Sequence, residues 1–523
     1  MSAIIFFLVL IVLLGGYIVY GRLVSRILGV NHLRKTPAFT KSDGLDYIPA
    51  KNWAVLFGHH FASIAGAGPI VGPVFAYIYW GWIGVLVWIV FGSIFMGAVH
   101  DFVALFISVR EGGASIGAVA QKYISKPASI IFLIFLWCTL ILVIAVFANA
   151  SAKSFVAEPE VVLPSLGLIP IAVLVGFFIY RLKRNIFLST LLGLVLLSGL
   201  ILLGDKVAIA LPLANPYLGW IVILFIYAFF ASIIPVDILL QPRDYISSFL
   251  LLFGIAIAFI GIFARPLPVA SADFFKFNSE IGPMFPMMFI TVACGAISGF
   301  HSLVASGTSS KQLPSESDAK KVGYGSMITE AVLATIALFC VAFGLKNMPA
   351  TNNPIEIFAQ GFGRIVFFFG DYAKFIALVI LNAFILTTLD TATRITRFLS
   401  QELFGIDNKY FATFLVVFVA GVFCLSGTFE TLWPMFGASN QLVAGLALIV
   451  ATAYLIDKKK NYKITLIPAI IMFIITIAAL GIKLKDFFQV RNYLNLTLTI
   501  ILIFLGIFIV VEFIKTNLSK GKK

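Results

Sequence analysis

Two stretches of this chain combine groups suited to binding a small polar molecule. The first runs Gly58-His59-His60-Phe61-Ala62-Ser63-Ile64-Ala65-Gly66-Ala67-Gly68-Pro69-Ile70-Val71-Gly72-Pro73. The second runs Thr291-Val292-Ala293-Cys294-Gly295-Ala296-Ile297-Ser298-Gly299-Phe300-His301-Ser302, then Ser306-Gly307-Thr308-Ser309-Ser310. Both are dense in Gly, Ser and Ala, both carry His, and both lie within apolar runs. Glycine costs ~1 kcal/mol and proline ~3 kcal/mol in a helix interior, so this density predicts helices that break at membrane depth. Broken backbone is tolerated there only where it lines a cavity or is buried in protein. A half-helix N-terminus offers free N–H groups to a carboxylate. Unwound carbonyls suit a cation. On this reading His60, Gly66, Ala67, Gly68, Gly295, Ser298, Gly299, His301 and Ser302 bind substrate; close helix packing by small residues is the alternative.

The neighbouring histidines and acids extend the list. His59 and His60 point about 100° apart on a helix and cannot face one ion. A zinc site needs three or four converging ligands. His59, His60, His301 and an acid are the one set that would supply them, and no metal is expected. Zinc proteases place two His four residues apart on one helix face, which this pair does not, so no enzyme is expected. Ionisable groups inside a bilayer are costly and ask for a role. Asp101 follows His100 and either couples an ion or pairs with Arg110. Glu330 has no basic neighbour at helical spacing and suits a carboxyl that takes up and releases a proton. Asp390 and Arg394 stand four apart, the spacing of an ion pair. Thr387 and Thr388 can hydrogen-bond the carbonyls four residues back. Asp237 and the turn Gln241-Pro242-Arg243-Asp244 read as a loop with a gating ion pair. Coupling is expected to Na⁺ or H⁺, with no other cofactor.

The elements that carry these residues are membrane helices. Hydrophobic residues make up 61% of 523 positions and charged residues 11%, against roughly 25% charged in a soluble domain. Lipid is therefore the main solvent. Only helices or closed barrels satisfy the backbone there, and continuous apolar blocks rather than alternating strands make the protein all-α. We place fifteen spans, at 2–20, 52–80, 82–109, 128–154, 161–180, 186–203, 215–234, 244–264, 282–308, 322–345, 369–393, 410–426, 434–456, 464–482 and 492–514. Residues 1–20 lack a basic leading region and read as a first span rather than a removed signal. Sorting Lys and Arg by alternate loops puts 27 of the 37 on one side, which the positive-inside rule assigns to the cytoplasm. The N-terminus is then outside, and the tail with Lys515, Lys520, Lys522 and Lys523 inside, in a multi-pass protein of the cell inner (cytoplasmic) membrane. The net charge of +14 follows this topology and forms no block that tracks nucleic acid. The four cysteines read as buried free thiols. Trp53, Trp80 and Trp82 read as interfacial anchors.

The order of elements repeats. After 52–80 come a span (82–109), an amphipathic stretch (114–125) and a long span (128–154). After 282–308 come a span (322–345), an amphipathic stretch (354–365) and a long span (369–393). The two series start on opposite sides, which makes an inverted repeat. Paired interrupted helices in such repeats point to a transporter binding site. We divide the chain into 1–51, an N-terminal helix and basic loop; 52–264, a first repeat; 265–456, a second repeat; and 457–523, C-terminal helices and basic tail.

Seven stretches resemble the carbon starvation protein A (CstA) family: GHHFASIAGAGPIVGPV (58–74), AVHDFVALFISVR (98–110), LLQPRDYISSFLL (239–251), ACGAISGFHSLVASGT (293–308), YGSMITEA (324–331), ILTTLDTATRITRFLSQE (385–402) and LWPMFGASNQLVAG (432–445). They lie between about 52 and 445. The resemblance implies an ion-coupled symporter for peptides, or in some relatives pyruvate, with a LeuT-type core. Two helices beyond that core's number must then lie between the copies. It also implies that Thr387 and Thr388, with the backbone around Ala62 to Ala65, hold Na⁺. A channel or an intramembrane metalloenzyme is less consistent with paired broken helices. The implied partners are a small-molecule substrate and the lipid bilayer.

Overall fold

The computed structural model describes residues 2–265, 267–268, 274–345 and 353–520, with the backbone alone for 428–434 and 518–520. Lys522 and Lys523 of the basic tail lie outside the described residues. The described chain is almost entirely helical. In order it contains α1 (Ser2–Leu28), α2 (Trp53–Ile64), α3 (Gly68–Trp80), α4 (Trp82–Arg110), α5 (Ile116–Tyr123), α6 (Lys126–Ala157), α7 (Pro159–Arg181), α8 (Ile186–Gly204), α9 (Pro216–Ile233) and α10 (Leu240–Ala264). It continues with α11 (Met284–Thr291), a single turn α12 (Ala293–Ala296), α13 (Gly299–Gly307), α14 (Glu316–Ala342), α15 (Pro354–Ile365), α16 (Tyr372–Phe404), α17 (Lys409–Leu425), α18 (Thr428–Asp457), α19 (Lys463–Gln489) and α20 (Tyr493–Lys520).

Twelve of these helices are long and apolar enough to cross a membrane, and α2 with α3 make a thirteenth span bent by 42°. The two other expected spans are helical but fail that test for stated reasons. The helix α17 has 17 residues, and α11 to α13 is interrupted twice. The sequence itself breaks both core spans. In the first span Ala65 (φ −76°, ψ 53°) leaves the helical range, and Pro69 in the first turn of α3 has no N–H to carry the ladder across the break. In the second span Ile297 (φ −159°) and Ser298 (φ −129°) are extended, so α13 starts anew at Gly299.

Packing shows how the two copies fit together. The long helices α6 and α16 lie along each other, and α9 and α17 pack on both. Each amphipathic helix, α5 or α15, packs on the long helix that follows it. The arm α3 packs on α14 of the other copy, and α13 packs on α4. The broken spans also rest on the last helix of their own copy, α2 on α10 and α13 on α18. These contacts locate the two surplus helices. They are α7 and α8, which pack on each other, with α7 also on α10.

Several expectations change. Trp80 and Trp82 are buried rather than interfacial, and Trp80 Nε1 donates to the Gly282 carbonyl at 3.2 Å; only Trp53 is exposed. Cys340 and Cys424 are buried thiols, but Cys138 is exposed and Cys294 partly so. Gln241 to Asp244 form the buried first turn of α10, not a loop. Pro242 is compatible with that position because the first turn has no partner for its N–H.

Close approach at the crossing points depends on glycine. A Cβ on Gly72 would sit 2.6 Å from the Thr291 carbonyl oxygen. Gly72→Ala is expected to destabilise the protein by about 1–3 kcal/mol through overpacking. Gly481→Ala, which meets nothing within 4 Å, should be neutral or stabilising by roughly 0.4–1 kcal/mol. Thermal melting in detergent tests the contrast: equal loss in both variants would contradict it.

Candidate functional site

The two breaks meet. A Cβ on Gly68 would lie 2.4 Å from Cys294 Sγ. Ala67 and Gly68 are partly accessible, as are Thr291 and Cys294, while Ala62, Ala65 and Gly66 are buried. The α3 N-terminus has no side-chain cap, so its free N–H ends at this accessible point. A Cβ on Gly66 would come within 2.8 Å of Thr388 Oγ1.

Not every glycine expected at the site faces the gap. Gly295 opposes Ala334 of α14, and Gly299 opposes the Asn440 carbonyl and Val443 of α18. Their role is close helix packing. Ser302 Oγ donates to the Gly299 carbonyl at 2.7 Å within its own helix. Ser298 is different: its hydroxyl lies 3.0 Å from Asn440 Nδ2.

Polar side chains of neighbouring helices serve both breaks. Asn440 Oδ1 accepts from the Phe300 N–H at 2.9 Å, capping α13. Gln441 Nε2 donates to the Ile297 carbonyl at 3.2 Å. In the first copy, Asp244 Oδ2 of α10 lies 2.6 Å from His59 Nδ1 and 3.4 Å from Ser63 Oγ. Ser63 Oγ also meets Thr391 Oγ1 at 3.1 Å, and Thr388 Oγ1 donates to the Ser63 carbonyl at 3.5 Å. Thr387 instead donates to the Ala383 carbonyl four residues back, at 2.9 Å, and takes no part in the break.

Beside the breaks, His301 stands between two carboxylates. Its Nδ1 is 2.9 Å from Asp101 Oδ2, and its Nε2 is 3.3 Å from Glu330 Oε2. His100 Nδ1 reaches Asp101 Oδ1 at 2.8 Å. All four side chains are buried. His60 points elsewhere, with Nδ1 2.8 Å from Ser309 Oγ. The histidines of the adjoining pair thus serve different partners. Among the described residues, no group of three or more His, Cys, Asp or Glu side chains is arranged to hold a metal.

Two expected ion pairs resolve differently. Asp101 does not pair with Arg110, which binds Glu316 at 2.6 Å. Asp390 does not pair with Arg394. It takes Arg243 of α10 and the Tyr227 hydroxyl, the latter at 2.5 Å. Arg394 and Arg397 both bind Asp46, at 2.6 and 2.7 Å. The i, i+4 spacing fails here because α9, α10 and the 29–51 segment supply closer partners than solvent-side helix geometry does. Asp237 does find a basic partner, Arg181 at 3.5 Å. Sequence reasoning missed Asn440, Gln441 and Asp46, and it named Asp244 for a gating pair rather than as the partner of His59. The signal for Asn440 and Gln441 was two adjacent polar residues inside an otherwise apolar run.

The family model described as carbon starvation protein CstA matches residues 1–348 and 342–479. The chain belongs to the carbon starvation protein CstA family. The match reaches beyond both ends of the 52–445 stretch that carries the motifs. Among this CstA-family member's relatives, the peptide transporter CstA of Campylobacter jejuni is 34% identical over 88% of the chain and 77% of its own length. That of Bacillus subtilis is 32% identical over 96% and 94%. The pyruvate/proton symporter BtsT of Escherichia coli is 31% identical over 88% and 78%. In structure, the chain is similar to the manganese transporter of Eremococcus coleocola (TM-score 0.52, 12% identity, 91% of this chain and 99% of that one). It is also similar to MhsT in complex with L-phenylalanine (TM-score 0.51, 12% identity, 83% and 98%). At that identity the likeness is one of fold, and the CstA-family chain has the LeuT-type core.

Arg243 and Asp390 are both fully buried. Asp390→Asn in this CstA-family chain leaves the guanidinium uncompensated and should cost about 3–5 kcal/mol. The double variant Arg243→Met, Asp390→Leu should recover most of that loss. Melting temperatures and the folded fraction after extraction measure both, and a double variant no better than Asp390→Asn would contradict the pairing.

Proposed function

We propose that this protein is an ion-coupled secondary transporter of the cytoplasmic membrane that takes up peptides. One observation carries the reading: the uncapped, partly accessible N-terminus of α3 faces the second break at Cys294. A helix start with free N–H groups favours a carboxylate, and every peptide ends in one. Broken helices meeting at the interface of inverted repeats are the usual seat of a transported substrate. The names of the CstA-family relatives support the same class. A small carboxylate such as pyruvate is the second reading, favoured by the same N-terminus and by the relative named for pyruvate and protons.

Substrate contacts fall to Gly66, Ala67 and Gly68, with Ser298 across the gap. Two groups suit the coupling ion. Thr388 with the Ser63 carbonyl and the Ala62–Ala65 turn offers oxygens to Na⁺. Asp101, His301 and Glu330 offer exchangeable positions to a proton. The excess of Lys and Arg on one side supports a cytoplasmic location for that side by the positive-inside rule, and with it an N-terminus outside. The names of the relatives support reading the protein as a transporter rather than an enzyme.

The test is uptake into proteoliposomes of labelled di- or tripeptides and of pyruvate, each under a Na⁺ gradient alone and a pH gradient alone. We expect accumulation of at least one probe under one gradient, collapsing when that gradient is dissipated. Gly68→Val, which fills the gap at Cys294, should abolish uptake while leaving the protein monodisperse. Uptake indifferent to both gradients would remove the symporter reading.

A further inference from the structure

His301 has two acceptors to serve and one proton to serve them with. A neutral imidazole carries a single N–H and a single lone pair. Its Nδ1 faces Asp101 Oδ2 at 2.9 Å and its Nε2 faces Glu330 Oε2 at 3.3 Å. Whichever nitrogen holds the proton, the other gap sets a lone pair against a carboxylate oxygen. Neither Glu330 oxygen has a hydrogen-bond partner, and residue and ring are fully buried. Unpaired acceptors in such a setting carry the full desolvation penalty. One added proton fills the second gap, as Glu330 O–H donating to Nε2 or as an imidazolium donating to both acids.

The other buried histidine and acid pair shows the contrast. His59 serves one carboxylate, Asp244, through Nδ1. Its Nε2 meets Gln312 Nε2 at 3.4 Å and Thr308 Oγ1 at 3.3 Å, both able to donate. The His59 ring is satisfied when neutral, although Asp244 Oδ1 has no partner.

We infer that Asp101, His301 and Glu330 bind one exchangeable proton, and that its occupancy decides whether α13 stays docked on α4 with His301 linked to Glu330 of α14. The inference rests on the transporter reading for its purpose and deepens it by naming the coupling site. His301 stands three residues into the second arm of the broken helix, Asp101 on α4 and Glu330 on α14. With the proton bound, hydrogen bonds tie all three together. When it leaves, the unfilled gap turns repulsive and favours a displaced α13, which biases a two-state element next to the substrate gap. The ionisable groups that face Glu330 are His301 from α13, Asp101 with His100 behind it from α4, and Cys294 from α12. From α2, His60 lies within electrostatic reach of Asp101 and His301. Asp244 of α10 is engaged by His59. Among the described residues, no Lys or Arg pairs with either acid.

Glu330→Gln is the decisive variant, because its amide N–H fills the gap permanently. In proteoliposomes with labelled pyruvate or dipeptide, we expect gradient-free exchange to persist and accumulation driven by a pH gradient to be lost. Accumulation that survives in Glu330→Gln would overturn the inference. So would failure of this variant to fold, since it supplies the missing donor. A second measurement needs no substrate. A proton bound only in the folded state stabilises at low pH, and that contribution is lost as pH rises. The melting temperature of the wild type should therefore fall more steeply with rising pH than that of Glu330→Gln; parallel profiles would overturn the inference. If neither probe is transported by the wild type, the transporter reading fails while the melting comparison still decides the proton site.

Discussion

In hydrocarbon, every backbone N–H and C=O must find a partner within the protein. A helix satisfies that rule by itself, and this chain breaks the helix twice in its core. Each break frees polar groups that neighbouring side chains must service. Asn440 and Gln441 do so for the second break, binding the Phe300 N–H and the Ile297 carbonyl. Ser63, Thr388 and Thr391 gather around the first, with Asp244 and His59 beside them. The uncapped start of α3 is the part left over, and it lies where the chain is partly accessible. Groups that the fold completes in this way hold the interrupted helices in place.

The same demand for partners organises the charges. Arg243, Arg394 and Arg397 are fully buried, and each has a carboxylate partner. Asp46 bridges two of them and fastens the 29–51 segment beneath α16. The same segment is tied to the end of α13 through the Ala50 N–H on the Gln312 carbonyl at 2.9 Å and Thr36 Oγ1 on the Leu313 carbonyl at 2.6 Å. The triad of Asp101, His301 and Glu330 is the place where two acids share a ring without a full complement of protons.

Much of the architecture was readable in the sequence, because lipid imposes a strong rule on it. All fifteen expected spans coincide with helices, and both breaks fall in the glycine-rich stretches. Two adjacent physical signals, Gly-Ala-Gly-Pro and Gly-Phe-His-Ser, marked where the backbone comes apart. Partners across helices were not readable. Asp390 and Arg394 have ion-pair spacing, yet each pairs with a group far away in sequence, because spacing along one helix says nothing about what packs against it. Glu330 was rightly seen to have no basic neighbour on its own helix; the one it has comes from α13. Gly295 and Gly299 share the composition of Gly66 and Gly68 but face neighbouring helices, since composition does not record which side of a helix meets the gap.

The account turns on the two interrupted stretches touching at one point. Oxidative cross-linking tests this most directly: Gly68→Cys is introduced beside the native Cys294, and disulfide formation is followed by peptide mapping in membranes. A disulfide requires its two Cβ atoms to come to about 3.8 Å, which residues 68 and 294 reach with a small adjustment. The account predicts rapid formation of this bond, slowed by a saturating transported substrate. Two free, separately alkylated thiols after oxidation would show that the breaks do not meet, and the shared binding gap would be contradicted.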